Sequence, residues 1–260
     1  ANTHTALGET PGKYSLSDFV HGRASSLESI AMPTQIPNLR LISGSNDELE
    51  MANLDVHKKS YLMSAIHKLS ADFVLLDLSA GTHSTTIDFF LLAQRNIVVF
   101  TPEPSSIENA YRFMKSAYFR KIKRHEVELG LKESIDFIMS EQSPFSVKTP
   151  VDLMNALYKV SPEKSSLLKN KLCDLNFQVL LNQSRTYKDA EVGLSVESVS
   201  KRFFGLNTEF MGHIDYDNAV WQSLRKRRPL LLECPHSPIY AQILQITKLI
   251  AYPKFKKAMV

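Results

Sequence analysis

The sequence contains few of the features that mark secreted, zinc-binding or membrane-spanning proteins. The two cysteines, Cys173 and Cys234, lie far apart and form no CxxC pair, which favours free thiols in a reducing compartment. No two histidines lie three or four residues apart, so the sequence does not indicate a zinc site. No apolar run reaches transmembrane length and the chain does not open with a signal-peptide pattern, so we expect a cytoplasmic protein.

The sequence also lacks a strong charge of either sign. Lys and Arg total 31 against 27 for Asp and Glu, a net charge of +4, which gives little reason to expect a nucleic-acid partner. Apolar residues make up 43% and charged residues 22%, as in an ordinary globular protein. A chain of 260 residues can bury one sizeable core, so we expect a single domain over residues 1–260.

Two common catalytic signatures are absent from these 260 residues. No G-x-x-x-x-G-K-[ST] phosphate loop occurs, and Gly12-Lys13 is followed by Tyr14 and preceded by no glycine at the required spacing. No G-x-S-x-G nucleophile elbow occurs either. Residues 1–260 therefore contain neither the usual phosphate cradle of an ATPase nor the nucleophile of a serine hydrolase.

The most informative stretch runs over residues 72–112. The apolar run Phe73–Leu76 predicts a buried strand that ends at Asp77, and Gly81 follows shortly after it. A carboxylate at the end of a buried strand is suited to hold phosphate-bound Mg²⁺, and a nearby glycine lets backbone N–H groups approach phosphate. The alternative interpretation is an ordinary strand-end aspartate that forms a turn or caps a helix.

Alternating strand and helix patterns predict an α/β fold with a doubly wound, mostly parallel sheet and helices on both faces. The predicted strands cover residues 39–43, 73–78, 97–100, 177–181 and 209–214. Residues 119–172 are more polar and helical, and Ser161-Pro162 is a typical helix start, so this region is interpreted as a helical insert.

The helices between these strands carry clear boundary signals. Ser105 with Glu108 predicts a capping box, Gly205 predicts the end of the helix over 191–204, and Asp217 predicts the cap of the next helix. Val192, Val196, Val199 and Phe203 are the predicted buried face of the 191–204 helix. The predicted helices cover residues 54–69, 85–94, 191–204, 217–224 and 237–251, the last ended by Pro253.

Several ordered motifs together resemble the MinD/ParA group of P-loop ATPases, with the branch related to the flagellar-number regulator FlhG as the nearest. The motifs are Asp77-Leu78-Ser79-Ala80-Gly81, residues 97–106 (IVVFTPEPSS), Asn182-Gln183-Ser184-Arg185, residues 212–217 (GHIDYD) and Arg228-Pro229. The resemblance covers most of the chain apart from residues 119–172. It implies a P-loop NTPase fold and binding of ATP or ADP with Mg²⁺.

The resemblance assigns roles at the phosphate end of the nucleotide. The aspartate that matches Asp77 holds Mg²⁺ through water in this group, and the glycine that matches Gly81 contacts the γ-phosphate. Thr82 is expected to line the same loop, although it could equally cap the helix that follows. Glu103 follows the next predicted strand. It could hold these residues in position, or it could simply belong to a rigid turn that leads into the next helix.

The resemblance also assigns the adenine end. Asn182 matches the group's adenine-reading asparagine, whose amide can both donate and accept, and Arg185 lies near enough to stack on the base. The alternative for Asn182 is a local Asx turn at the strand end. Pro235, within Cys234-Pro235-His236, falls in the loop that closes over the base in relatives, but the residue types there differ from theirs.

The resemblance implies a homodimer that forms with ATP, a regulatory protein partner, and work as a spatial regulator that positions a cellular structure. Peripheral contact with the inner membrane stays open, since the tail 252–260 is short and broken by Pro253. By resemblance, a phosphate-loop unit of roughly 40 residues would precede Ala1, about one βαβ unit without its last element. A protein of only these residues is therefore expected not to hydrolyse ATP.

Two alternatives remain from the sequence. One is a nucleotide-free protein-interaction module on the same scaffold. The other is a DNA-binding partition ATPase, for which the basic residues Arg120, Lys121, Lys123 and Arg124 would supply the phosphate contacts.

Overall fold

We describe a computed structural model of the chain over residues 3–44 and 54–252. The chain forms two compact units: residues 1–93 with 217–240 make the first unit, and residues 94–216 with 241–260 make the second. A single domain over the whole chain therefore stays a prediction. The predicted helix stop at Pro253 and the basic tail after it lie outside the described residues.

Strands and helices follow one another along both units. In chain order the strands are β1 (Met32–Pro33), β2 (Arg40–Leu41), β3 (Asn96–Phe100), β4 (Phe177–Ser184) and β5 (Thr208–Asp215). The helices are α1 (Thr3–Leu7), α2 (Leu16–Val20), α3 (Leu27–Ile30), α4 (Val56–His67), α5 (Ser84–Phe90), α6 (Pro104–His125), α7 (Lys132–Met139), α8 (Pro150–Val160), α9 (Pro162–Leu172), α10 (Tyr187–Phe204), α11 (Asn218–Arg225), α12 (Leu230–Glu233) and α13 (Ile239–Ala251).

The second unit is built on a parallel sheet of β3, β4 and β5, in that order. Val98 of β3 lies beside Val179 of β4, which lies beside Phe210 of β5. The first five residues of β4 are all buried, as expected for a central strand covered on both faces. The predicted strands at 97–100, 177–181 and 209–214 are confirmed, and so is the α/β class.

Helices cover both faces of this sheet. On one face the ring of Phe177 lies 5.4 Å from that of Phe204 in α10, and Tyr118 of α6 lies 6.0 Å from Phe204. On the other face Leu180 packs with Ile246 of α13. Because successive strand residues point to opposite faces, the apolar run of β4 supplies both layers of the core at once.

Residues 119–172 are helical, as predicted. Helix α6 continues to His125, and α7, α8 and α9 follow. Helix α8 begins with a capping box in which Asp152 N–H donates to Thr149 Oγ1 and Thr149 N–H donates to Asp152 Oδ2. Ser161 precedes Pro162 at the start of α9, as the sequence indicated. The status of this region as an insert remains a prediction.

The first unit has its own core, formed by α2, α3, α4 and α5. Its fully or nearly fully buried members include Phe19, Leu27, Leu62 and Phe89. Strands β1 and β2 pair antiparallel beside it, so the predicted strand over 39–43 is reduced to Arg40–Leu41. Only these two residues pair with β1, so the apolar pattern over 39–43 predicted a longer strand than the one that forms.

The predicted buried strand at residues 73–78 does not form. Phe73, Val74 and Leu75 are 61%, 41% and 80% exposed, and no described strand hydrogen-bonds to this segment. Only Leu76 and Leu78 turn inward, onto the core of the first unit. The prediction was wrong because a hydrophobic run shows that a segment can be buried, not that a strand lies beside it to complete the ladder.

The capping box predicted for Ser105 and Glu108 does not form either. Helix α6 begins at Pro104 with Glu103 before it, so Ser105 lies inside the first turn and forms no capping box with Glu108. Instead the Ser106 hydroxyl accepts a hydrogen bond from Thr101 N–H, at 3.0 Å. Proline fixes the backbone angle that a first helical position needs, and this preference prevailed over the serine cap.

The buried face of α10 is shifted from the predicted one. Val196 is buried as predicted, but Val199 is 46% exposed, while Gly193, Ser200 and Phe204 face inward. The small residues at 193 and 200 bring the helix close to the sheet, and the sequence pattern of valines alone does not reveal that approach. Gly205 ends the helix in a left-handed conformation, as predicted.

Substitution of Gly193 by Ala is expected to destabilise the protein by about 1–3 kcal/mol, because an added methyl group overpacks the core. A Cβ at this position would lie 2.2 Å from the ring of Phe210 in β5. Urea denaturation followed by circular dichroism measures the effect. The exposed Ser195→Ala on the same helix is the matched control, and equal stability of the two variants would show that the close approach is unimportant.

Candidate functional site

The first group of predicted site residues lies in the extended segment that leads into α5. Asp77 is exposed, and its Oδ2 accepts a hydrogen bond from the hydroxyl of Thr3. Thr82 is also exposed and precedes His83. His83 is the N-cap residue of α5, and its side chain makes no capping hydrogen bond. The alternative in which Thr82 caps this helix is therefore not what the structure shows.

Gly81 adopts a backbone conformation that favours glycine. Its φ is +116°, and a Cβ built there would meet only the ring of His83, at 3.7 Å. The requirement for glycine at this position is thus conformational rather than steric. This is the behaviour expected of a glycine that turns backbone N–H groups toward a ligand.

A single carboxylate is suited to one kind of metal contact. Within residues 3–44 and 54–252, no three His, Cys, Asp or Glu side chains converge on one point. Mg²⁺ keeps several of its waters and is typically held by one or two carboxylates together with substrate phosphates. An exposed Asp77, with one oxygen not engaged by Thr3, fits that use and does not fit a closed metal cage.

A buried ion pair behind this segment was missed by sequence reasoning. Lys59 Nζ of α4 contacts Asp88 Oδ2 of α5, and the two side chains are 13% and 3% exposed. Asp88 lies between Ile87 and Phe89 on the apolar part of α5, a position at which a lone carboxylate requires a partner. The ion pair fixes α5 against α4, and α5 follows directly after Gly81 and Thr82.

The second group lies at the carboxyl ends of the parallel strands, the edge at which doubly wound sheets bind ligands. Asn182 is near the end of β4, Glu103 follows β3 and Tyr216 follows β5. A hydrogen bond with the Thr101 side chain, together with the charge of Arg185, holds the pKa of Glu103 below its usual range. Glu103 is therefore a carboxylate at neutral pH and lies within electrostatic reach of Arg185.

Arg185 is held in place from two sides. Its backbone N–H donates to Asp189 Oδ2 at 2.7 Å, and its guanidinium lies 4.2 Å from the centre of the Tyr216 ring. The backbone N–H groups of Arg185 and Thr186 lower the pKa of Asp189. Tyr216 was not predicted as a site residue, although its place in the GHIDYD motif is a signal that could have identified it.

Asn182 lies where the sheet is irregular. The β4–β5 register shifts between Leu181 and Ser184, and Gln183 adopts φ of +59°. Asn182 Oδ1 accepts a hydrogen bond from the N–H of Gln183 at 3.0 Å, which is the local turn considered as its alternative role. The irregularity takes Asn182 out of the ladder, and its side-chain nitrogen has no partner among the described residues.

Pro235 lies in an exposed turn between α12 and α13. The turn is anchored by Ser237, whose hydroxyl donates to Asp217 Oδ2 at 2.8 Å, while Asp217 Oδ1 caps α11 through Ala219 N–H. Asp77, Gly81, Thr82 and Pro235 all belong to the first unit. Asn182 and Arg185 belong to the second unit, so Pro235 is not in the same unit as the two other residues predicted at the adenine end.

The basic clusters are largely engaged within the protein. Lys121 pairs with Asp174 at 3.0 Å, and Lys226 and Arg228 both pair with Glu233. Arg225 lies over the ring of Trp221 at 4.7 Å. Cys173 and Cys234 are free thiols, as predicted. Among the described residues, no helix combines the length and apolarity that crossing a bilayer requires.

Comparison with known proteins finds relatives whose sequence similarity extends over most of the chain. The antiactivator FleN of Pseudomonas aeruginosa is 21% identical over 240 residues, which cover 91% of this chain and 66% of FleN, just under two thirds of its length. A protein of Chlorella vulgaris described as a septum site-determining MinD is 22% identical over 214 residues, 82% of this chain and 73% of that protein. No family model matches the chain.

A solved structure agrees with the fold. The septum site-determining protein MinD from Pyrococcus horikoshii OT3, in complex with Mg-ADP, superposes with a TM-score of 0.61 at 18% identity. The match covers all of this chain and 82% of that one. The parallel sheet with helices on both faces is an α/β fold similar to that of this MinD structure.

In sequence the chain is thus similar to FleN and to MinD over most of its length, and in fold it is similar to MinD.

Proposed function

We propose that the protein at its natural length is an ATP-binding spatial regulator of the FlhG-like branch, which works in the cytoplasm and dimerises when it binds ATP. The observation that carries this proposal is the similarity to FleN and MinD over most of the chain. An exposed Asp77 followed by a positive-φ Gly81 supports it. A switch of this kind would control where a cellular structure forms, through a regulatory protein partner.

At the phosphate end, Asp77 would hold Mg²⁺ through water and Gly81 would approach the γ-phosphate. When bound, Mg²⁺ neutralises charge on the phosphates. The chain's own contribution is to fix the position of the Asp77 carboxylate, which Thr3 orients, and to present backbone N–H groups at Gly81 and Thr82. The Lys59–Asp88 pair holds α5, the helix that these residues lead into.

At the adenine end, Asn182 would read the base and Arg185 would lie beside it. Pro235 is proposed as an adenine contact on the resemblance alone. Arg185 already stacks on Tyr216, so an adenine ring would extend an existing stack. The peptide irregularity at Asn182 and Gln183 points in the same direction, because strained backbone concentrates at ligand sites.

Replacement of Asn182 by Ala is expected to lower the preference for ATP over GTP by roughly tenfold, since one bidentate amide–base pair is worth about 1–3 kcal/mol of discrimination. Fluorescence titration with labelled ATP and GTP, on the protein at its natural length, measures the ratio. Asn170→Ala, a change far along the chain in α9, is the control. An unchanged ATP/GTP ratio in Asn182→Ala would remove Asn182 from the adenine site.

A polypeptide of residues 1–260 alone is expected to have no measurable ATPase activity. These residues contain no G-K-[ST] phosphate loop, and the backbone cradle and lysine of that loop neutralise the β- and γ-phosphates. The rate of phosphate release from ATP is measured for this polypeptide and for the protein at its natural length, and the two rates are compared. Normal activity in residues 1–260 would contradict the assignment of Asp77 and Gly81 to one half of the site.

The second candidate is a nucleotide-free interaction module on the same scaffold. The exposed apolar run Phe73–Leu75 favours it, because contiguous exposed apolar side chains mark interaction surfaces. The residues encoded before Ala1 discriminate the two candidates. A G-K-[ST] loop there supports the ATPase, and a start codon close to Ala1 supports the module.

A further inference from the structure

Helix α11 (Asn218–Arg225) presents its apolar side to solvent rather than to the core of the first unit. Its three largest apolar side chains, those of Val220, Trp221 and Leu224, are 36%, 57% and 47% exposed. The residue that the helix buries is Ser223, which is small and polar. A surface helix of a globular domain normally has the opposite orientation, so the exposed apolar side indicates a contact surface.

The exposed side chains of α11 form one continuous stripe. Val220 and Leu224 are four residues apart, as are Trp221 and Arg225, so the two pairs form adjoining rows on one side of the helix. The guanidinium of Arg225 lies 4.7 Å from the centre of the Trp221 ring, which shows that both side chains point the same way. These four residues are called the α11 stripe.

A run of positive charge follows the stripe. Arg225, Lys226, Arg227 and Arg228 are consecutive, and α11 itself contains no acidic residue. Lys226 and Arg228 share one carboxylate, that of Glu233, so an excess of positive charge remains on this surface. Both lysine and arginine are well exposed in these pairs, and exposed ion pairs are weak and easily exchanged. The run is therefore able to attract an anionic surface.

We propose that the α11 stripe and the basic run after it form a contact surface for an anionic lipid membrane. Trp221 and Leu224 enter the headgroup region, where tryptophan is favoured, and the cations of residues 225–228 lie at the level of the lipid phosphates. Arg225 is suited to this position because its stem covers apolar surface while its guanidinium stays near water. Helix α11, with eight residues, is about 12 Å long and rests on the bilayer rather than crossing it.

A lipid surface fits this stripe better than a protein partner does. A stable protein interface takes roughly 20–30 residues from each side, whereas α11 offers three apolar side chains on two turns. A second copy of the chain would bring like charges together. A bilayer needs only an apolar row with cations beside it, and one such element gives weak, reversible attachment. The surface does not rest on the proposed nucleotide activity.

The first measurement is flotation of the protein at its natural length with vesicles of phosphatidylcholine, either alone or with about one third phosphatidylglycerol. Binding to the anionic vesicles is expected to be at least about tenfold stronger and to fall as salt is added. Trp221→Ser, and Arg225→Gln combined with Arg227→Gln, are each expected to weaken that binding by about tenfold. Tyr158→Ser and Arg202→Gln, at exposed positions of the second unit, are the controls and leave it unchanged.

The second measurement places Trp221 relative to the bilayer. Trp221 is the sole tryptophan of residues 1–260, and the difference in emission between the unmodified protein and Trp221→Phe isolates its signal at natural length. With anionic vesicles whose acyl chains carry bromine, this emission is expected to shift to shorter wavelength and to be quenched, because the indole lies at the boundary of the acyl chains.

Four results would overturn the surface. They are no binding to anionic vesicles, equal binding to neutral and anionic vesicles, undiminished binding in both α11 variants, or bound protein whose Trp221 emission is not quenched. The last of these would place the membrane contact elsewhere on the protein. A short-wavelength Trp221 emission before vesicles are added would also contradict the proposal, since protein would then cover the stripe, and a dependence on protein concentration would identify a second copy as the cover.

Discussion

Substitution of Asp77 by Asn is expected to lower the Mg²⁺-dependent ATPase rate of the protein at its natural length by about 10²–10³-fold, the scale on which loss of one electrostatic contact to a transition state acts. Asparagine keeps the size of the side chain and can still accept the hydrogen bond from Thr3, so the fold is expected to survive. What is lost is the negative charge that orders Mg²⁺ on the phosphates.

Two further measurements test whether Asp77→Asn lowers the ATPase rate through loss of a contact to Mg²⁺. ATP binding measured in the presence of a chelator is expected to be unchanged in Asp77→Asn, because the carboxylate would act only through Mg²⁺. Asp72→Asn, an exposed aspartate in the same segment, is the matched control and is expected to retain full activity. Equal rates for the two variants would show that Asp77 is an ordinary turn-forming aspartate, as in the alternative interpretation.

Substitution of Lys59 by Met is expected to reduce the free energy of unfolding by about 3–5 kcal/mol, the usual cost of removing one member of a buried ion pair. The reason is that Asp88, whose side chain is 3% exposed, would keep its charge in the core of the first unit. Urea denaturation monitored by circular dichroism measures the loss as a lower midpoint.

A double variant separates the charge from the packing. Lys59→Met together with Asp88→Leu is expected to recover most of the lost stability, because replacing both members of a buried pair by apolar residues is often neutral. Lys68→Met, an exposed position just after α4, is the control for loss of a lysine and is expected to change little. A double variant no more stable than Lys59→Met would show that the pair is not an isolated electrostatic contact.

The sequence was sufficient where local signals and burial coincide. The apolar runs of β3 and β4 identified two strands of the parallel sheet, Gly205 identified the end of α10, and Ser161-Pro162 identified the start of α9. Each of these signals is set by the backbone preference of a few residues, or by burial on both faces of a strand. For that reason the α/β class could be predicted before any contact was known.

The sequence was insufficient where the outcome depends on a distant partner. The run Phe73–Leu76 has the composition of a buried strand, but a strand forms only if another lies beside it to share hydrogen bonds. Lys59 and Asp88 are far apart in sequence, and no local pattern indicates that they pair. The order of motifs identified Asp77, Gly81 and Asn182 as candidates, whereas the contact between Arg185 and Tyr216 emerged only from the fold.

The central claim is that the protein at its natural length is an ATP-dependent switch of the MinD/ParA type. Sedimentation velocity in Mg-ATP and in Mg-ADP tests it most directly, because the switch consists of a change in association with the bound nucleotide. We expect a dimer in Mg-ATP and a monomer in Mg-ADP. The same sedimentation coefficient in both, with no nucleotide bound, would contradict the claim and favour the nucleotide-free interaction module.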